Sequence, residues 1–219
     1  MAVEITKDII ERAFDAMGQA AAARGLVVEI AVYGGSCLVL ASDIRAASGD
    51  VDAVFLNEAR VVRRLADDVA RRMGLPLDWI NEAVRRMAPP IGNPEPNLLP
   101  FGEYPRTRDA AVGLRVFLPT PPYMLAMKIL TNRSAEDADK IQSDLDDAVA
   151  LMRIAGISTR EALAGLLKEC YPNIPGIVAP AFNPRINLKL DALMDAYAGS
   201  TDAPYPAWNA GAGPATRPC

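Results

Sequence analysis

The chain has 219 residues and no histidine. That absence removes Ser-His-Asp and Cys-His nucleophilic catalysis, HExxH metal sites and any imidazole base. Acid–base or metal chemistry must rest on Asp, Glu, Lys, Arg, Tyr or Cys, and a metal held by carboxylates is a hard cation, Mg2+ or Mn2+. The stretch with suitable residues is GGSCLVLASDIRAASGDVDAVF, Gly34 to Phe55. An apolar run leads into Gly34, Gly35 and Ser36, and Asp50 and Asp52 open the next one. Strand, Gly-Gly-Ser, helix is a geometry in which backbone N–H groups at a helix start hold phosphate oxygens; glycine lets the backbone come close and Ser36 adds a hydroxyl. Alternation along a strand puts Asp50 and Asp52 on one face and Val51 on the other. Two carboxylates side by side repel unless a cation joins them, and a divalent ion does so well. If the two strands pair, phosphates and metal meet at one edge of the sheet, which suits phosphoryl or nucleotidyl transfer. Each part also has a plain structural reading, since Gly-Gly-Ser turns are common and Asp-x-Asp at a strand start is often a solvated edge.

The surrounding pattern predicts the elements that position these residues. Thr6 is placed as the N-cap of a helix running to about Ala23, with Ile9, Ile10, Ala13, Phe14 and Met17 at helical spacing and Gly25 stopping it. Residues 26–33 read as a strand, SCLVLA as a short helix behind the turn, and 50–56 as a second strand. Residues 58–73 read as an amphipathic helix closed by Gly74. A short helix is expected over 77–87, then a long proline-rich loop up to Asp109, then a third strand over 113–120. Everything from Pro121 reads as helical: 121–131, about 135–155, 158–169 and 186–198. The expected fold class is α+β: a small mixed sheet flanked by helices over 1–120, a C-terminal helical region over 121–198, and a loosely held tail over 199–219.

Composition bounds the rest. With 51% hydrophobic and 23% charged residues the chain reads as globular, and no apolar run approaches the length of a membrane span. The charged, amphipathic N-terminus does not resemble a secretory signal. Three scattered cysteines argue against a disulfide framework and a zinc knuckle, so a cytoplasmic location is expected. The net charge of −4 is uneven: 58–90 holds seven arginines against five acids, and 134–147 holds six acids against one lysine. Both read first as solvated helix faces; the basic segment is also a candidate patch for RNA or nucleotide phosphates.

Taken together, the order and spacing resemble the GG[S/T]…[D/E]-x-[D/E] signature of the nucleotidyltransferase superfamily, the polymerase-β-like fold. RAASGDVDAVF, with Arg45, Asp50 and Asp52, is similar to a run in the AbiEii-like and related uncharacterised bacterial families, as are DWINEAV, PPYMLAMKILTNR and DLDDAVALMRIAGI. The likeness spans roughly residues 28–170. It implies Gly34, Gly35, Ser36 and Arg45 at the nucleotide, Asp50 and Asp52 on Mg2+, Lys128 on the triphosphate with Arg133 near it, and Asp144 and Asp147 as further site residues. On its own, Lys128 reads equally as a lysine snorkelling from an apolar helix face, and Asp144 and Asp147 as helix surface. Gly49 and Thr131 depart from the family pattern. The third strand carries no carboxylate, which leaves Glu103 and Asp109 as the substitutes within reach. The resemblance implies transfer of a nucleoside monophosphate from an NTP to a hydroxyl of RNA (tRNA at family level) or protein. It also implies the toxin half of a toxin–antitoxin or phage-defence pair, with a cognate antitoxin as partner. A degenerate fold that binds nucleotide or protein without turnover is the alternative. Neither the NTP, the acceptor nor the oligomeric state follows from the sequence.

Overall fold

Ile10, Ala13, Phe14, Met17 and Ala21 recur at helical spacing and are all wholly buried, so the first helix lies on the protein by one stripe. A computed structural model of the chain describes residues 4–42, 44–87, 97–131, 138–173, 176–177, 184–200 and 207–209. In chain order the first elements are β1 (Ile5–Thr6), α1 (Lys7–Ala22), β2 (Val28–Tyr33), α2 (Gly34–Ala41), β3 (Ala47–Ser48), β4 (Val51–Phe55) and α3 (Ala59–Met73). They are followed by β5 (Ile80–Asn81), a 3-10 turn (Ala83–Arg86), β6 (Leu98–Tyr104) and β7 (Leu114–Pro119), then α4 (Pro121–Leu130), α5 (Ala138–Ala155), α6 (Arg160–Cys170) and α7 (Pro184–Gly199). The chain divides into two units, Met1–Thr120 with Trp208–Cys219, and Pro121–Ala207.

The first unit is an α+β layer built on a five-stranded mixed sheet in the order β5-β4-β2-β7-β6. β2 sits at its centre, antiparallel to β4 and parallel to β7. Its residues Val28, Ile30, Ala31 and Val32 are fully buried, as a strand covered on both faces requires. β1 and β3 form a separate two-stranded ribbon, with Ile5 opposite Ser48 and Thr6 opposite Ala47. Thr6 occupies the N-cap position of α1 in extended conformation, though its side chain makes no capping bond. The second unit is helical. Met124, Ile129, Leu151, Leu163, Leu167 and Leu190 are among its buried side chains, and the hydroxyl of Thr159 caps α6 by accepting from the Ala162 N–H at 3.2 Å.

Two local expectations are corrected. Residues 77–87 do not form an α-helix: Ile80–Asn81 is an edge strand parallel to β4, and only Ala83–Arg86 turns as 3-10. Trp79 decides this. It is buried, its indole N–H donates to the Ala66 carbonyl at 3.1 Å, and its own carbonyl accepts from the Val51 N–H at 2.7 Å. These tertiary bonds outweigh the helical spacing of the segment. The proline-rich stretch is not loop throughout either, because its second half is the edge strand β6; residues 88–96 lie outside the described set. Pro100 is tolerated there because the strand is outermost and its register shifts between Pro100 and Gly102.

α1 meets the ends of β6 and β7 through two glycines. A Cβ on Gly18 would lie 2.5 Å from the backbone of Tyr104, and one on Gly113 would lie 2.0 Å from the Gly18 carbonyl oxygen. The backbones themselves are in contact, so no side chain can give way. Gly113→Ala is therefore expected to cost about 2–3 kcal/mol by overpacking, measured as a lower urea midpoint with an unchanged slope; an unchanged midpoint contradicts the close packing.

Candidate functional site

The antiparallel pairing of β2 with β4 sets Tyr33 opposite Asp52. The next residue, Gly34, has φ +64, and a Cβ on it would sit 2.5 Å from Asp52 Oδ2. Glycine is required twice over, by the left-handed backbone and by the carboxylate resting above it. Both glycines belong to the first turn of α2, rather than to a separate turn before it. A Cβ on Gly35 would meet Ser48 Oγ at 3.0 Å and Arg45 Nη1 at 3.2 Å. Arg45 and Ser48 lie on the connection between α2 and β4, which the β1–β3 ribbon ties down. Gly34, Gly35, Arg45, Ser48 and Asp52 are thus brought together at the end of β2 where the first N–H groups of a helix have no partner within the helix.

Ser36 serves this turn from inside. It is wholly buried, and its hydroxyl donates to the Tyr33 carbonyl at 2.9 Å, so the half-buried part of the turn is Gly34–Gly35. Asp50 immediately precedes β4, and Val51 between the two aspartates is fully buried while both aspartates are half-buried. Asn81, paired with Asp52 in register, donates its side-chain amide to Asp50 Oδ2 at 2.9 Å. Its carbonyl oxygen accepts from the Ala83 N–H at 2.9 Å. Asn81 therefore orients one carboxylate from the edge strand. Its only sequence signal is its place in DWINEAV; Ser48 had none beyond its place in RAASGDVDAVF.

Asp50 and Asp52 offer hard oxygen donors on one face, a set that fits Mg2+ completed by water and phosphate oxygens. Among the described residues no group of three or more His, Cys, Asp or Glu side chains is placed to hold a metal ion. Glu103 is not a third ligand. It sits opposite Arg115, which sits opposite Glu29, and Arg115 pairs with both at 3.0 and 3.3 Å. That ladder crosses the sheet five residues before Gly34, about 16 Å from the glycine turn along β2. Asp109, exposed and in the left-handed region with φ 62, lies in the loop joining β6 to β7, beside the pair Tyr104–Leu114 and hence at the same far end.

In the second unit, Lys128 of α4 meets two carboxylates of α5: Nζ is 2.6 Å from Asp144 Oδ1 and 2.6 Å from Asp147 Oδ2. The three side chains are 8%, 14% and 4% exposed, so they form a buried cluster of one cation and two anions. The spacing of three on α5 puts both aspartates on the face turned to Lys128. Lys189 of α7 lies nearby and has no sequence signal of its own: its ammonium donates to the Ile129 carbonyl at 3.0 Å and to that of Thr131. Burial first, then Arg185, lowers its pKa, and Asp144 works against that fall. Arg133 lies outside the described residues. Cysteine chemistry finds no support in this unit, since burial pushes the Cys170 thiol up to about 11; a thiol so raised is not ionised at neutral pH.

Comparison of the chain with protein-family models, with curated proteins and with solved structures found no match. Geometry alone bears on Lys128, and it has an energetic consequence. Lys128→Met would leave two buried carboxylates facing each other, at an expected cost of about 3–5 kcal/mol. Chemical denaturation measures it, and a loss under about 1 kcal/mol would mean that the cluster opens to water.

Proposed function

We propose that the protein is a Mg2+-dependent nucleotidyltransferase that moves a nucleoside monophosphate from an NTP to a hydroxyl of RNA or protein, releasing pyrophosphate. One observation carries the reading: Asp52's carboxylate lies against the Gly34 backbone, beside Asp50, where a helix begins. Bound there, Mg2+ would draw charge from the phosphate under attack. Asp50 and Asp52 would hold that ion, with Asp50 oriented by the Asn81 side-chain amide. Gly34 and Gly35 let the triphosphate approach the backbone N–H groups of α2, with Arg45 and Ser48 above Gly35 as further donors. Ser36 fastens the turn. The likeness to the AbiEii-like group assigns Lys128, Asp144 and Asp147 to the same reaction, and a cytoplasmic toxin paired with an antitoxin is the matching biological role.

The second reading is a degenerate relative that binds nucleotide without turnover. The lack of a three-carboxylate group among the described residues favours it. Pyrophosphate release on mixing protein, Mg2+, each NTP and total RNA separates the two. For the enzyme, Asp52→Ala is expected to cut incorporation of labelled NMP at least a hundredfold while the variant stays folded by circular dichroism. Incorporation at the parent rate in that folded variant would refute the assignment. Calorimetric NTP binding with no pyrophosphate from the parent protein favours the binding module.

A further inference from the structure

The edge strand that orients Asp50 also gathers a set of arginines. Glu82, the residue after Asn81, pairs with Arg63 of α3 and, at 3.2 Å, with Arg85 of the 3-10 turn. It also accepts from the Phe55 N–H at 3.5 Å, which fixes it along the open edge of β4. Arg63 lies over the Phe55 ring at 5.6 Å. Arg60 and Arg64, on the same first turns of α3, and Arg86, beside Arg85, are exposed. Among the described residues no carboxylate lies within ion-pair distance of these three. Two of these five arginines hold Glu82; the other acids on or beside α3 are the exposed Glu58 at its start, Asp67, and Asp68, which pairs with Arg24 and Arg71. The chain as a whole is acidic at −4, so this concentration of cations is local.

Every cation of the set is an arginine, whose planar fork matches phosphate bidentately and stacks on bases. From Asp52 to Phe55 β4 rises about 10 Å, the length of about three stacked nucleotides at about 3.4 Å each. We propose that Arg60, Arg64 and Arg86, with Arg63 and Arg85 positioned by Glu82, form the docking face for a single-stranded RNA end whose terminal hydroxyl reaches Asp50 and Asp52. The placement of that hydroxyl rests on the nucleotidyltransferase reading; the binding face does not. RNA is the occupant because unpaired ends are a standing feature of folded RNA, whereas cellular DNA is kept duplex, and because the patch is too short to follow a duplex groove.

The test is fluorescence anisotropy of a labelled single-stranded RNA 12-mer with the full chain, without NTP or Mg2+, from 50 to 200 mM salt. The variant Arg60→Gln/Arg64→Gln/Arg86→Gln is expected to bind at least tenfold more weakly at 50 mM salt. Its log–log salt slope should be shallower by about 2, at about 0.7 for each phosphate that is no longer neutralised. The corresponding triple lysine variant should keep the slope, and Arg12→Gln on α1 should change neither quantity. The proposal is overturned if the parent protein does not bind the RNA, or if the glutamine variant keeps its affinity and slope. It is overturned equally if blunt duplex DNA binds as tightly, or if an acidic peptide of equal charge displaces the RNA at equal concentration. Binding that persists in Asp52→Ala supports the face whatever becomes of NMP transfer, so failure of the reaction and failure of the docking face are read separately.

Discussion

Asp52's carboxylate occupies the space that a side chain at position 34 would fill, and the rest of the first unit is arranged to keep it there. The register Tyr33–Asp52 between β2 and β4 sets the height of the carboxylate. The positive φ of Gly34 turns the chain beneath it into α2. Buried Ser36 holds that turn from behind by bonding to Tyr33, and Asn81 reaches over from β5 to hold the neighbouring aspartate. A one-residue slip of β4 would carry both aspartates to the other face of the sheet and Val51 onto the turn. Complete burial of Val51 opposes that slip, so apolar packing on one face specifies where the charges stand on the other.

The two groups of charged residues handle desolvation differently. Lys128, Asp144 and Asp147 are taken almost wholly out of water, one ammonium in contact with two carboxylates within the helical unit. Each charge in such a cluster has a partner, and removing the one ammonium leaves two carboxylates facing each other. Asp50 and Asp52 stay half-buried on a strand, where water still reaches them.

Much of this site is legible in the sequence because it follows from backbone rules. Two glycines after a β-branched run announce a close approach, and Asp-Val-Asp announces a shared face; both outcomes depend on residues a few positions apart. The fold class is legible for the same reason, since period-two and helical spacings dominate most segments. What escapes is set by interactions distant in sequence. Trp79 turns a helix-like segment into a strand through bonds to Ala66 and Val51. Prolines mask β6, whose place as an outermost strand makes them harmless. Ser36 reads as a phosphate donor from its motif, yet its hydroxyl is directed inward. Glu103 reads as a candidate ligand until the Glu29–Arg115–Glu103 ladder places it across the sheet from the turn. Lys189 approaches Asp144 from a helix that nothing local connects with it.

The central position of β2 bears on how the protein is made. A ribosome releases the chain from its N-terminus, so Gly34, Asp52 and Asn81 all emerge before β7 (Leu114–Pro119), the strand that covers β2's other side. During that interval VEIAVY is an edge, with one row of backbone hydrogen-bonding groups unpaired. The apolar strand best suited to the centre of the finished sheet is, for the time it takes to add those residues, an open edge to which another chain can pair.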